Sequence, residues 1–269
     1  MKILILLTAI QFSYLDTLLA DDGITKSRIE AHLFPYKDFL EWGTYEGFDS
    51  TQYAFKPKSR YETFKTAFEL IEAMDHPTIV ELGTSRSFNH GGLIGCNSDD
   101  ISYWMPEDPA TWDWGAGFFT RMAATALGHK EIDIHTVDIC DSHIQRCKVM
   151  TKEFPCIQYH VSDSVAFLKT CNFPQKIHLL YLDTGDMTPI EFTARLQLEE
   201  AKVIVARDLI LEGGYILIDD VKNQTPQKFG AASKLGKSQY SLPFLLENGF
   251  ELVMDEYQAL LRKKDKNHF

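Results

Sequence analysis

Acidic side chains recur in this sequence directly after short apolar runs. Glu81 lies in TIVELG at 78–83, Asp138 in TVDI at 136–139, Asp163 in SDS at 162–164 and Asp183 in LDTGD at 182–186. The pair Asp219 and Asp220 closes ILIDD at 216–220. An ionised carboxylate accepts several hydrogen bonds and is a hard oxygen ligand. An acid just past a strand can accept from ribose hydroxyls, which suits Asp138. Asp163 has two readings, an acceptor for an exocyclic adenine amine or the cap of the helix that follows. Asp183, Asp219 and Asp220 form a separate group. Like charges repel, and burying them unpaired is costly, so a divalent cation such as Mg²⁺ would resolve their convergence. The plainer reading points one or two of them to solvent or to helix caps. The loop Gly83-Thr84-Ser85 after Glu81 is small enough for backbone N–H groups to approach a ligand, although an ordinary turn reads the same way. It is not GxGxxG, which argues against a dinucleotide phosphate loop.

The elements that must position these acids alternate from residue 78 onward. Apolar runs predict strands at 78–82, 133–139, 157–161, 177–182 and 215–218, then an antiparallel pair at 250–254 and 257–261. Helical spacing predicts helices at 61–74, 118–127, 143–153, 164–170, 191–208 and 241–248. Short buried strands joined by crossover helices give a parallel sheet covered on both faces. Ligands of such a sheet bind outside the carboxyl ends of its strands, where these acids fall. The cap of the helix near 143 is assigned to Asp141 or Ser142, which leaves Asp138 for a ligand.

Composition narrows the partners. The 269-residue chain carries 27 Lys and Arg against 38 Asp and Glu, a formal net charge of −11. Nucleic-acid binders need a basic patch to displace counterions, and the only dense one here is Arg262, Lys263, Lys264 and Lys266 near the end. We expect a small-molecule acceptor and no nucleic acid; a homodimer stays open. The five cysteines are odd in number and none is spaced CxxC, so free thiols are expected. Residues 1–22 read either as a signal peptide or as a buried N-terminal helix, leaving a cytoplasmic and an exported location both open. The apolar run is too short for stable membrane insertion. Residues 23–77 read as a helical extension, aromatic-rich enough to serve as a lid.

Taken together, Val80-Glu81-Leu82-Gly83-Thr84-Ser85, Val137-Asp138, Ser162-Asp163, Leu182-Asp183 and the run 213–221 (GGYILIDDV) resemble the class I S-adenosylmethionine-dependent methyltransferases. The resemblance covers 78–264 and is nearest to the metal-dependent O-methyltransferases of the catechol and macrolide-sugar types. It implies a Rossmann-like, doubly wound α/β sheet of seven strands, mostly parallel with the last strand antiparallel, in a domain at 78–266. It implies cofactor contacts from Glu81, Gly83, Thr84, Ser85, Asp138, Ile139, Ser162, Asp163 and Asp183. Gly83 would lie against the methionine part, Asp138 would hold the ribose and Asp163 the adenine amine. Asp183, Asp219 and Asp220 would hold Mg²⁺, and Asp183 and Asp186 would serve catalysis of O-methyl transfer. The sequence departs from the family at Ser85, where a glycine is usual, and at Asp186, where the catechol type has its basic Lys. It also carries an insertion at 88–113. Other candidate bases are His90, His160 and His178, and Lys222 and Asn223 are candidate substrate contacts. Rival readings are a non-catalytic or metal-independent relative and an NAD(P)-dependent oxidoreductase.

Overall fold

The computed structural model describes residues 27–42, 59–84, 119–185, 189–221 and 236–265. Seven strands form one sheet in the order β3-β2-β1-β4-β5-β7-β6. They are β1 (Thr78–Leu82), β2 (Asp133–Asp138), β3 (Ile157–Val161), β4 (Ile177–Leu182), β5 (Ile210–Ile218), β6 (Phe250–Asp255) and β7 (Ala259–Lys263). Strands β1 to β5 pair in parallel, and β7 runs antiparallel to both β5 and β6. This is the expected α/β Rossmann-like sheet with its reversal at the last strand.

Period-two alternation splits the strand residues between two cores. Ile79, Ile134, Leu179, Tyr181 and Leu217 face one; Val80, Leu82, Val137, Leu180 and Ile216 face the other. Strands β1 and β4 are buried along their whole length, as central strands covered on both faces must be. The first core is roofed by α1 (Arg28–Leu33), α3 (Tyr61–Glu72) and α4 (Phe119–Leu127). A short helix α2 (Lys37–Trp42) precedes α3. Phe64 and Phe68 of α3 meet Phe119 at 5.8 and 5.6 Å between ring centres, and Phe119 stacks on Tyr181 at 4.4 Å. Each fully buried ring contributes roughly 1.5–3 kcal/mol, so the helical extension is fastened to β4 rather than loosely appended. Beyond these lie α5 (Asp141–Met150), α6 (Ser164–Thr170), α7 (Ile190–Ala206) and α8 (Ser241–Glu247).

Three of the boundary differences bear on the site. Strand β5 begins at Ile210 rather than after the Gly213–Gly214 pair. The glycines interrupt the ladder instead: Gly213 has φ +76°, and the register with β4 jumps from Ile177–Ile210 to Leu179–Tyr215 across them. Strand β7 starts two residues later than its apolar pattern, at Ala259, because Tyr257 and Gln258 turn inward to the site. Helix α5 starts at Asp141 without a side-chain cap, so neither Asp141 nor Ser142 caps it. No helix among the described residues is long and apolar enough to cross a membrane.

Candidate active site

The rim begins where β1 ends. Gly83 turns the chain with φ +83°, and its N–H donates to the Val137 carbonyl at 2.8 Å. A Cβ at this position would lie 2.6 Å from the Asp183 carbonyl oxygen, so glycine alone allows the loop to nest between β2 and β4. The next residue fixes the loop to two acids. The Thr84 backbone N–H donates to Asp138 Oδ2 at 3.1 Å, and its hydroxyl donates to Glu81 Oε2 at 3.0 Å.

Glu81 is fully buried, and among the described residues only hydroxyls meet it. Thr120 of α4 and Thr136 of β2 donate to the same Oε2 at 2.5 and 2.7 Å. Its Oε1 has no partner among the described residues. Burial pushes the carboxyl up to about 8, against the three hydroxyl bonds, which pull it down. Burial thus favours the protonated form of Glu81 at neutral pH.

Asp138 is less secluded. Its Oδ1 accepts from the Cys140 N–H at 2.8 Å and lies 3.1 Å from His143 Nδ1. The expected cap by Asp141 or Ser142 is not made, and Asp138 holds the N–H of Cys140, the residue just before α5. One strand further out, the Ser162 N–H donates to the Asp138 carbonyl at 2.9 Å. Asp163 is exposed and caps α6 by accepting from the Ala166 N–H at 2.8 Å. Of its two readings, capping is the one these contacts display. Ile139 and Val161 are 73% and 53% exposed at the same rim, an apolar strip beside Asp138.

The other side of the rim has a different chemistry. Single ligand atoms of Asp183, Asp219 and Asp220 lie within 4.8 Å of one another. Two cations stand among them. Arg60, just before α3, donates from Nε to Asp219 Oδ1 at 2.8 Å and from Nη2 to Asp219 Oδ2 at 2.6 Å, with Asp220 Oδ1 at 3.3 Å. Lys237 Nζ donates to Asp183 Oδ1 at 2.8 Å and lies 2.9 Å from Asp220 Oδ2. Tyr257 donates to Asp220, and Gln258 donates to Asp219 Oδ1 at 2.9 Å. Asp183 keeps 21% of its side chain exposed, more than either partner acid. Burial pushes its carboxyl up to about 7; Lys237 opposes the shift, while Asp219 and Asp220 add to it.

These contacts bear directly on the Mg²⁺ expectation. Mg²⁺ demands near-octahedral oxygen ligation and retains several waters. Here the buried ammonium of Lys237 and the guanidinium of Arg60 already occupy the space between the carboxylates, with 2% and 6% of their side chains exposed. The residues as arranged do not fit a bound Mg²⁺.

Among the other expected residues, His178 is buried near the start of β4 and accepts from the Thr78 N–H, and His160 pairs with His135. Neither stands at the strand-end rim. Cys140, Cys147, Cys156 and Cys171 are free thiols. Ser85, His90, Asp186, Lys222, Asn223 and the insertion at 88–113 lie outside the described residues, as do residues 1–22. Sequence reasoning missed Arg60, Thr120, Thr136, Lys237 and Gln258. Thr136 and Gln258 lie within or beside predicted strands, but nothing local marked them as partners of buried acids; Arg60, Thr120 and Lys237 reach the rim through the packing of other elements.

No protein-family model matches the chain, and no curated protein does. Solved structures do. The methyltransferase PaMTH1 of Podospora anserina, bound to S-adenosylhomocysteine, superposes with a TM-score of 0.50 at 13% identity, covering 96% of each chain. The fold is that of a methyltransferase. Cofactor-bound Rv0187 from MTB has a TM-score of 0.48 at 13% identity, over 93% of this chain and 96% of that one. The N-methyltransferase NodS of Bradyrhizobium japonicum has 0.47 at 13%, over 76% and 96%. The likeness is one of fold; the chemistry must be argued from the rim.

Proposed function

We propose that this chain is an S-adenosylmethionine-dependent methyltransferase that methylates a hydroxyl of a small acceptor without a metal. One observation carries the reading: the Gly83-Thr84 loop is held against Asp138 on one side and against the Asp183 backbone on the other, at the carboxyl rim of a methyltransferase-type sheet. Backbone there can approach a ligand closely, and the Asp138 carboxylate keeps acceptor capacity for ribose hydroxyls. Ile139 and Val161 offer apolar area for the adenine ring, with Asp163 beside them for its amine. The fold of the S-adenosylhomocysteine-bound PaMTH1 supports the same choice of ligand over a dinucleotide.

Methyl transfer from a sulfonium is an in-line displacement. Holding donor and acceptor collinear is worth up to roughly 7–11 kcal/mol. A hydroxyl acceptor must also lose its proton. Asp183 is the partly open carboxyl of the acidic side, with its pKa near neutrality at about 7, which matches a general base at ordinary pH. Asp219 is held by Arg60 and Gln258 and is left to orient its neighbours.

Calorimetry with S-adenosylmethionine tests the proposal. The wild-type chain binds it, and Asp138→Ala weakens binding tenfold or more, about 1.4 kcal/mol or above. Absence of wild-type binding at millimolar ligand ends the reading.

A further inference from the structure

We infer that the acidic rim is a built-in ion-pair lock, in which Lys237 and Arg60 take the places between the carboxylates that a divalent cation would take. The inference does not depend on the cofactor reading.

Lys237 carries the argument. An ammonium has three N–H donors, and three acceptors surround this one: Asp183 Oδ1 at 2.8 Å, Asp220 Oδ2 at 2.9 Å and the Gly185 carbonyl at 3.0 Å. The ammonium is turned to these three oxygens of the chain itself, and the side chain is 2% exposed. It is a structural cation. A metal entering the same cluster would have to share the very oxygens that Lys237 holds.

The backbone is built to deliver this lysine. The Gly236 N–H donates to the Val221 carbonyl at 2.6 Å, and the Lys237 N–H donates to the Asp220 carbonyl at 3.1 Å. A Cβ on Gly236 would fall 1.7 Å from the Asp220 carbonyl oxygen, so the hook requires glycine. Asp220 itself adopts φ +51°, a conformation uncommon for a residue with a side chain, and Arg60, Lys237 and Tyr257 hold its carboxylate from three directions. Arg60 closes the opposite end with a two-pronged pair to Asp219, its guanidinium 4.6 Å from the Tyr257 ring centre. The lock thus ties the chain before α3 and the chain before α8 to the ends of β4 and β5. Lys237 and Arg60 are positioning residues for Asp183 and Asp219.

The experiment is Mn²⁺ binding to the full-length chain, followed by electron paramagnetic resonance of the free ion. Wild type is expected to bind none at millimolar Mn²⁺. Lys237→Ala, which vacates the position, is expected to bind about one ion, and adding Asp183→Asn should remove that binding. Stoichiometric binding by wild type overturns the lock, and so does a folded Lys237→Ala that binds none. A second measurement covers a variant that folds poorly. Lys237→Met with Asp183→Asn removes both charges together and should melt above Lys237→Met alone. A double variant that melts no higher overturns the lock as well. None of these readouts involves S-adenosylmethionine, so failure here leaves the cofactor reading to its own test.

Discussion

Around Glu81 the described residues place neutral hydroxyls, from Thr84, Thr120 and Thr136. Around Asp183, Asp219 and Asp220, on the same rim, it places two cations. Both centres bury acids, and they meet the cost in different ways. A carboxyl with no countercharge keeps its proton, because desolvation penalises the ionised form. A group of carboxylates too close to ionise together draws in compensating charge. The neutral centre lies on the side proposed for the cofactor, and the ionic one on the side proposed for the reacting acceptor. A neutral Glu81 adds no field of its own, whereas the paired side holds ionised groups in fixed positions. Proton abstraction needs the second arrangement.

The comparison breaks most severely at Arg60. Arg60→Met leaves Asp219 buried with Gln258 as its remaining side-chain donor among the described residues, and removing one partner of a buried ion pair typically costs about 3–5 kcal/mol. Urea unfolding should register that loss. A change under about 1 kcal/mol would mean that the pair is not desolvated as drawn.

At the neutral centre, Glu81→Gln should change the pH dependence of stability more than stability itself. The Glu81 carboxyl sits at about 8 in the folded chain, above its ordinary value of 4.5. Between those values the folded chain holds a proton that the unfolded chain has released. Its contribution is therefore full below the unfolded value and is lost as pH rises through the folded one, with a slope of about 1 kcal/mol per pH unit. Unfolding at pH 6 and at pH 8 should show a flatter dependence in the glutamine variant, which keeps the acceptor oxygen for the three hydroxyls. Equal slopes in both proteins would contradict a protonated Glu81.

The smallest effect is expected at Asp163, an exposed acid of the same rim with no close ion pair among the described residues. Asp163→Ala removes the cap of α6 and should cost about 1 kcal/mol. Asp163→Asn should restore most of it, because the amide oxygen accepts the same N–H. A loss as large as that for Arg60→Met would place Asp163 among the structural ions instead.

Much of this arrangement was legible in the residues. Short apolar runs ending in acids marked β1 to β4 almost to the residue, because hydrophobic periodicity and strand length are local properties. The Gly213–Gly214 pair was half legible: β5 extends back to Ile210, but pairing with β7 begins only at Tyr215 and the register with β4 jumps across the glycines, so they mark a break in the ladder rather than the start of the strand. Capping misled at α5, where Asp141 and Ser142 were the local candidates and Asp138, held by the sheet, took the neighbouring N–H.

The positions of the strands, the parallel sheet and the gathering of acids at its carboxyl rim were present in the chain's own pattern, since period, run length and crossover handedness constrain them strongly. Which acids are neutral and which are paired was not. That depended on Thr120, Arg60 and Lys237 arriving from elements 39, 159 and 54 residues away from the acids they touch. Desolvation and ion pairing are set by what packs nearby in space, and nearby in space is decided only when the helices close over the sheet.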